Sequence, residues 1–346
     1  MRPQAAAIAL LPFVLTGAVG KTCSEGSDCT NYPSVRVETL STRPVIGVLA
    51  QPAGTDLGGP NSSYIVASYV KWLEAAGVRV APILWNISKD ELAAAFAQVN
   101  GLLLPGGDAG THGGYAEAAW HLLDLAKASN DDGHHFPVWG TCQGHEQLAE
   151  YGSGELLPSV LKPTTGTEGW ITPLNFTAAA SESRLLANVG RDVLEAFGNR
   201  PITINLHQYS VYAADFERNG SAMRSFFKVI ATNVDSKGTA FVSLMEGRRY
   251  PFYGSQFHPE KNAYEWEQPW ERNNTESRAE AHSAAAVAAM QYLASFFASE
   301  ARKNAHLYPG VPTIGKEPLP LIYKFTPVAT VAIASAKWEQ CYIFRS

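Results

Sequence analysis

The residue best suited to chemistry in this 346-residue chain is Cys142, within the stretch FPVWGTCQGHEQLAEY at positions 136–151. The apolar run that ends at Trp139 predicts a buried strand, and an amphipathic helix is predicted to begin near His145. Gly-x-Cys-x-Gly between a strand and a helix is the cysteine form of the nucleophile elbow. A helix N-terminus stabilises a thiolate, so we expect a nucleophilic Cys142 with a lowered pKa. The alternative is a buried cysteine that only fills space.

A base for this nucleophile is available in His258-Pro259-Glu260, which follows a predicted strand at 252–257. Proline disfavours a helical conformation of the residue before it, so we expect an extended tripeptide. Residues i and i+2 of an extended segment point the same way, which would place the Glu260 carboxylate beside the imidazole. The carboxylate would then fix the tautomer of His258 and raise its basicity, as in a catalytic triad. The alternative is a structural histidine at a strand end.

Acyl transfer also requires hydrogen-bond donors for the oxyanion that develops in the transition state. The backbone N–H of Gln143, directly after the nucleophile, is one candidate. Gly106 or Gly107, in the Pro-Gly-Gly segment after a predicted strand, could supply a second N–H because glycine permits close backbone approach. A plain turn is the alternative for Pro-Gly-Gly.

The elements that must position these residues alternate regularly from Arg43 onward. Strands are predicted at 44–50, 78–84, 102–104 and 136–139, and helices at 64–76, 88–98 and 115–128. Strands at 226–232, 239–245 and 252–257 and a long helix at 277–303 follow. This rhythm predicts an α/β fold with a parallel sheet that helices cover on both faces. Sites of such sheets lie beyond the carboxyl ends of the strands, where the cysteine elbow and the Pro-Gly-Gly segment could meet.

Several classes of function are disfavoured by the sequence. A net charge of −5 with scattered Lys and Arg argues against nucleic-acid binding. His145-Glu146 resembles the start of a zinc-protease helix, but Ala149 stands where the second histidine would be. Gly152-x-Gly154 lacks the third glycine of a dinucleotide loop, and we find no phosphate loop. We therefore expect neither a metal nor a cofactor.

The N-terminus has the pattern of a secretory signal peptide over residues 1–20, with an apolar segment too short to span a membrane. We expect a polar extension at 21–42 and a single domain at 43–346, with a C-terminal tail from about 304. Five glycosylation sequons fit the secretory pathway, at Asn61, Asn86, Asn175, Asn219 and Asn273. If Cys142 is a free nucleophile, then one disulfide at most can form among Cys23, Cys29 and Cys341, and the sequence does not choose the pair.

The motifs PGG, GTCQG and FHPE, in that order, resemble those of the class I glutamine amidotransferase-like superfamily. Within it the chain is similar to the γ-glutamyl hydrolase family, on the segments PVIGVLAQP, LLLPGG, DDGHHFPVWGTCQGHEQL, PLNFT, NLHQYS, QFHPEKNAYEW and QCYIF. The likeness runs from Arg43 to Phe344. The familiar elbow of that family is GTCLGFE, from which this chain departs at Gln143 and His145.

The resemblance implies a flavodoxin-like sandwich and cofactor-independent hydrolysis of γ-glutamyl bonds in folylpolyglutamates, in lysosomes, in vacuoles or outside the cell. It assigns Cys142 as nucleophile, His258 as general base and acid, and Glu260 as the third member of the triad. Glu146 and His207 match positions around the bound γ-glutamyl group, and structural roles are the alternative for both. A homodimer is compatible with the family. A glutaminase subunit and an inactive secreted binding protein on the same scaffold are the alternatives for the whole chain.

Overall fold

The structure is a computed structural model that describes residues 40–59, 61–154, 160–218, 222–266, 275–309, 318–331 and 338–345. Its strands are β1 (Val45–Pro52), β2 (Ser62–Val66), β3 (Arg79–Leu84), β4 (Gly101–Leu104), β5 (Val138–Thr141), β6 (Lys162–Pro163), β7 (Trp170–Thr172), β8 (Asn175–Phe176), β9 (Thr203–Asn205), β10 (Tyr209–Ser210), β11 (Phe227–Val234), β12 (Ala240–Gly247), β13 (Phe252–Ser255), β14 (Val328–Ala329) and β15 (Gln340–Arg345). Its α-helices are α1 (Ala67–Glu74), α2 (Lys89–Phe96), α3 (Gly114–Asp131), α4 (Gln143–Ser153), α5 (Arg191–Asn199), α6 (Ala213–Phe216), α7 (Ala222–Phe226), α8 (Lys261–Tyr264), α9 (Thr275–Ala281) and α10 (Ala284–Arg302).

Five parallel strands form the centre of the main sheet, in the order β3-β1-β4-β5-β13. Numbered by their place along the chain, these five strands have the flavodoxin-like order 2-1-3-4-5. The strand order reverses between β1 and β4, so the crevice at the carboxyl ends of these strands is the expected ligand position. The predicted α/β fold with a parallel central sheet is confirmed.

Antiparallel strands extend the sheet at both ends. On one side, β12, β11 and β8 follow β13, and on the other β2 pairs with the end of β1 and is followed by β15 and β14. A tight turn joins β11 and β12, and the carboxylate of Asp235 accepts hydrogen bonds from the backbone N–H groups of Lys237 and Thr239, both at 2.9 Å. The main sheet is therefore mixed, with antiparallel strands outside its five parallel central strands.

The two large clusters of the buried core lie on opposite faces of the sheet. Alternate residues of β1 belong to different clusters, because successive side chains of a strand point to opposite faces. One cluster contains apolar residues of α1, α5 and α10, and the other contains those of α2, α3 and α4. Helix α2 begins with a capping box, in which Ser88 and Glu91 exchange side-chain and backbone hydrogen bonds.

The helix predicted at 64–76 is wrong in its first turn. Tyr64, Ile65 and Val66 lie in β2, and α1 begins only at Ala67. These three residues pair with Ile343, Tyr342 and Cys341 of β15. A periodic pattern alone cannot reveal this pairing with a distant strand, and aromatic and β-branched side chains suit a strand well.

The long helix predicted at 277–303 is two helices, α9 and α10. The break lies at His282 and Ser283, where the Ser283 hydroxyl accepts a hydrogen bond from the N–H of Ala286 at 3.2 Å and caps α10. Within the described ranges, no helix has the length and apolar character needed to cross a membrane.

Some predicted features fall outside the described residues: the signal peptide, most of the extension at 21–42, Cys23, Cys29, Asn219 and Asn273. Three of the sequon asparagines, Asn61, Asn86 and Asn175, are described and exposed. Cys341 lies buried in β15, 3.8 Å from the hydroxyl of Thr330. All described residues belong to one compact unit, Thr39–Ser346.

Candidate active site

Cys142 occupies a strained turn between β5 and α4. Its φ of 52° and ψ of −109° make it the one non-glycine residue of the described chain with a positive φ. The turn depends on glycine at two places: a Cβ on Gly144 would lie 2.0 Å from the carbonyl oxygen of Leu104, and one on Gly140 would lie 2.4 Å from that of Gly144. The predicted elbow is therefore present, with backbone strain at its nucleophile position.

His258 and Glu260 form a buried hydrogen-bonded pair, with 2.7 Å between Nδ1 and Oε1. The predicted pairing is present, but the predicted reason for it is wrong. Glu260 has helical backbone angles, φ −75° and ψ −16°, and the tripeptide turns into α8 rather than continuing the strand. The turn brings the two side chains together as an extended segment would have done.

The thiol and the imidazole meet beside Gly106. A Cβ on this glycine would lie 2.8 Å from Cε1 of His258 and 3.2 Å from the Cβ of Cys142. The three residues follow β13, β4 and β5, neighbouring parallel strands whose carboxyl ends share one edge. Because Nδ1 of His258 is occupied by Glu260, Nε2 is the nitrogen that remains for proton transfer.

Tyr69 of α1 joins this cluster, although the sequence indicated only an apolar helical position. Its hydroxyl accepts a hydrogen bond from the N–H of Gly106 at 2.8 Å and lies 3.4 Å from Nδ1 of His258. Burial raises the pKa of Tyr69, and the neighbouring carboxylate of Glu260 adds to the effect, so the phenol stays protonated. No pattern in the sequence separated this tyrosine from its core neighbours.

Gln51 is a second residue that sequence reasoning missed. It lies at the carboxyl end of β1 and is 1% exposed. Its Nε2 lies 2.8 Å from Oε1 of Gln143, 2.9 Å from the hydroxyl of Tyr115 and 3.3 Å from the carbonyl oxygen of Pro105. Its position beside the point where the strand order reverses is the signal that could have identified it.

Glu146 and His207 border the same crevice. The Glu146 carboxyl accepts a hydrogen bond from Nε2 of Gln256 at 3.0 Å, and burial raises its pKa to about 8. Nδ1 of His207 lies 3.0 Å from the carbonyl oxygen of Tyr209, and burial lowers the pKa of the imidazole to about 3. Both groups are therefore neutral near pH 6. The carbonyl oxygen of Leu206 lies 3.7 Å from Sγ of Cys142, so the segment that carries His207 touches the thiol.

His145 does not titrate beside the nucleophile in the neutral range. Its ring lies under β13, where a Cβ on Gly254 would be 2.7 Å from Nδ1. Burial lowers the pKa of His145 to about 4. Where GTCLGFE has phenylalanine, this chain therefore has an imidazole that is uncharged at neutral pH.

The pKa of Cys142 is raised, in contrast to the predicted lowering. Burial is the largest cause, and the acidic side chains of Glu146 and Glu260 add to it. The backbone N–H of Gln143, at the N-terminus of α4, lowers the pKa of Cys142 as predicted. This effect is smaller than the increase caused by burial and the two acidic side chains. Cys142 therefore carries a neutral thiol at rest.

His258 and Glu260 both have lowered pKa values. Burial lowers the pKa of His258, and Glu260 only partly opposes this. Burial would raise the pKa of Glu260, but the interaction with His258 and the charge of Lys261 together outweigh it, and the pKa falls. A neutral imidazole beside a carboxylate can accept the thiol proton during attack. Among the described residues, no group of three or more His, Cys, Asp or Glu side chains could hold a metal ion.

Comparison with known proteins fits this arrangement. The peptidase C26 family model matches residues 44–260, a span that contains Cys142, His258 and Glu260. The chain belongs to the peptidase C26 family. Gamma-glutamyl hydrolase of Mus musculus is 41% identical over 305 residues, which are 88% of this chain and 90% of the relative. Gamma-glutamyl hydrolase of Bos taurus is 37% identical over 339 residues, 97% of this chain and 98% of the relative.

Solved structures similar to this member of the C26 family include a glutaminase domain. The glutaminase domain of CTPS from Trypanosoma brucei, with bound acivicin, is 16% identical with a TM-score of 0.45. The match covers 80% of this chain and 100% of that domain.

Proposed function

We propose that this chain hydrolyses γ-glutamyl bonds by nucleophilic catalysis through Cys142. The observation that carries the proposal is the meeting of a strained cysteine and a His258–Glu260 pair beside Gly106. Membership in the peptidase C26 family and the relatives named gamma-glutamyl hydrolase support the choice of bond.

The first half of the reaction forms a thioester. Sγ of Cys142 attacks the γ-carbonyl carbon while its proton passes to Nε2 of His258. The C–N bond then breaks, and His258 gives that proton to the departing amine. Glu260 holds the imidazole in the required tautomer and stabilises the imidazolium that forms transiently.

The oxyanion of the tetrahedral intermediate accepts hydrogen bonds from backbone N–H groups of Gln143 and Gly107. Gln143 is the first residue of α4, so its N–H has no partner within the helix. The helix dipole adds to the stabilisation of negative charge at this end. The N–H of Gly106 is already donated to Tyr69, which favours Gly107 as the second donor.

The second half of the reaction releases the acyl group. His258 takes a proton from water, and the oxygen attacks the thioester carbon. The C–S bond breaks, and the thiolate of Cys142 regains its proton from the imidazolium. No cofactor is required, because both the nucleophile and the base belong to the chain.

The substrate class is folylpoly-γ-glutamates and their antifolate analogues. Glu146 and His207 contact the γ-glutamyl group in this proposal. Both are neutral near pH 6, since the pKa of Glu146 is raised to about 8 and that of His207 is lowered to about 3. A protonated carboxyl group can donate a hydrogen bond to a substrate oxygen, which a carboxylate cannot do.

The setting is the secretory pathway, with the lysosome, the vacuole or the extracellular space as destination. A single domain at 43–346 acts there, after loss of the signal peptide, with glycans on exposed sequons and with a homodimer as the proposed assembly. A lowered pKa of His258 suits an acidic compartment, because the imidazole stays neutral below its ordinary value.

The test follows pteroylpenta-γ-glutamate by liquid chromatography and mass spectrometry. Wild-type protein is expected to shorten the substrate, Cys142→Ala to lose turnover, and Cys341→Ala to retain it. Acid quenching should trap a γ-glutamyl adduct on Cys142 of the wild type. Unchanged turnover in Cys142→Ala would overturn the mechanism. Ammonia release from free glutamine, with an intact pteroyl substrate, would indicate a glutaminase instead.

A further inference from the structure

Gln51 and Gln143 lie on opposite sides of the crevice and are joined by one hydrogen bond. Gln51 is the penultimate residue of β1 and lies beside the Pro105–Gly107 loop, while Gln143 is the first residue of α4. We propose that these two side chains form an amide bridge that sets the spacing of the oxyanion hole, with Gln51 as a positioning residue. This inference rests on the proposed function, because it concerns the N–H groups of Gly107 and Gln143.

The bridge contacts both halves of the hole. Nε2 of Gln51 lies 2.8 Å from Oε1 of Gln143 and 3.3 Å from the carbonyl oxygen of Pro105. A Cβ on Gly107 would lie 2.4 Å from Cδ of Gln51, so this peptide rests directly on the amide group. One planar amide therefore separates the loop that carries one donor from the helix that carries the other.

The amide is rigidly held from a third side. The hydroxyl of Tyr115, in the first turn of α3, lies 2.9 Å from Nε2 of Gln51. Gln51 and Tyr115 are 1% and 2% exposed, and Gln143 is 5% exposed, so no solvent molecule competes freely for these bonds. Hydrogen bonds in such a low-dielectric interior hold their geometry more strongly than exposed ones.

Stability alone does not account for a glutamine at position 51. Its Oε1 has no hydrogen-bond partner among the described residues, and a buried carbonyl without a partner is unfavourable. An apolar residue of similar length would remove that cost. A positioning role toward the two oxyanion donors explains why the polar group is present.

The Gln143 side chain is what ties the bridge to the nucleophile helix. The related elbow GTCLG has leucine at this position, which cannot accept a hydrogen bond. An amide nitrogen has two hydrogens, so Gln51 can serve Tyr115 and Pro105 even without Gln143. Removing only the side chain of Gln143 therefore releases α4 from the bridge while every donor of Gln51 keeps an acceptor.

The test compares Gln143→Met, Gln51→Met, the double variant and a matched control, Gln147→Met. Gln147 is fully buried in the same helix and has no side-chain hydrogen bond among the described residues. We expect kcat on pteroylpenta-γ-glutamate to fall about 10-fold in Gln143→Met and further in Gln51→Met, with KM within about 2-fold. These losses are smaller than the ~10²–10³-fold cost of deleting a donor, since the N–H groups remain. The kcat of the double variant should fall no further than that of Gln51→Met, because both substitutions remove the same hydrogen bond.

A second measurement separates an effect on the oxyanion donors from a general loss of Cys142 reactivity. Alkylation of Cys142 by iodoacetamide forms no oxyanion, so its rate should stay within about 2-fold in every variant. Unchanged kcat in both single variants, or an equal loss of kcat and alkylation rate, would overturn the bridge. A wild-type protein that alkylates at Cys142 but does not cleave the substrate would instead overturn the proposed function.

Discussion

The hydroxyl oxygen of Tyr69 accepts a hydrogen bond from the backbone N–H of Gly106 at 2.8 Å. The same oxygen lies 3.4 Å from Nδ1 of His258, so one phenol connects α1, the loop after β4 and the imidazole of His258. The bond also removes Gly106 from the set of free N–H donors. This leaves the N–H of Gly107 as the proposed second oxyanion donor of the loop.

Tyr69→Phe should lose both stability and activity. The substitution leaves the buried N–H of Gly106 without this acceptor, which costs about 1–3 kcal/mol. A shifted loop should also lower kcat, because the second oxyanion donor moves with it. Urea unfolding and steady-state kinetics measure the two effects. Tyr292→Phe, whose hydroxyl bonds the carbonyl oxygen of Leu185 far from the crevice, is the control and should retain kcat. Equal stability and kcat in Tyr69→Phe and wild type would contradict a role of Tyr69 in holding the loop at Gly106.

Cys142→Gly should be more stable than Cys142→Ala, although both are expected to be inactive. The backbone at this position has φ 52° and ψ −109°, a conformation that strains any residue with a Cβ by about 1–3 kcal/mol. Glycine removes the strain but loses part of the gain to its greater freedom in the unfolded chain. The expected difference is about 1 kcal/mol in chemical denaturation. Cys341→Gly and Cys341→Ala form the matched pair in a regular strand, where alanine should be the more stable.

Glu260→Gln should shift the pH profile to lower pH. The Glu260 carboxylate raises the pKa of His258 against the lowering effect of burial. Without that charge, the pKa of His258 falls further, and the acidic limb of kcat/KM moves down with it. The maximum should also drop by about 10²–10⁴-fold, since the imidazolium is no longer stabilised. An acidic limb that moves to higher pH would contradict the assigned pair.

Glu146→Gln should gain stability relative to wild type as the pH rises from 5 to 8. Burial raises the pKa of Glu146 from 4.5 to about 8, so the folded state retains a proton that the unfolded state releases. The stability that this proton provides is complete below pH 4.5 and is lost as the pH rises toward 8, by up to about 1.4 kcal/mol per pH unit. Glutamine does not titrate and can still accept the hydrogen bond from Gln256. Urea unfolding at pH 5 and pH 8 tests this, and an identical difference at both values would refute it.

Local patterns in the sequence predicted the elbow and the parallel centre of the sheet. Glycines on either side of Cys142 and the alternation of strands and helices are local signals, and they need no knowledge of distant contacts. The pairing of His258 with Glu260 was also predicted, although a turn produces it. These features depend on residues that are close along the chain.

The features that the sequence did not reveal depend on long-range contacts. The strand at Tyr64–Val66 exists because β15 pairs with it, and the periodicity of the segment resembles a helix. The raised pKa of Cys142 comes from burial and from two acidic side chains, which no local pattern reports. Gln51 and Tyr69 acquire their roles only when β1 and α1 reach the crevice.

The pairing of β5 with β13 has a consequence for the kinetics of refolding. Val138 of β5 stands in register with Phe252 of β13, and the intervening chain contains β6 to β12. Closing so long a loop costs more conformational entropy than forming a local helix, and it is therefore slower. Recovery of catalytic turnover after dilution from denaturant should therefore lag behind the return of the far-ultraviolet circular dichroism signal.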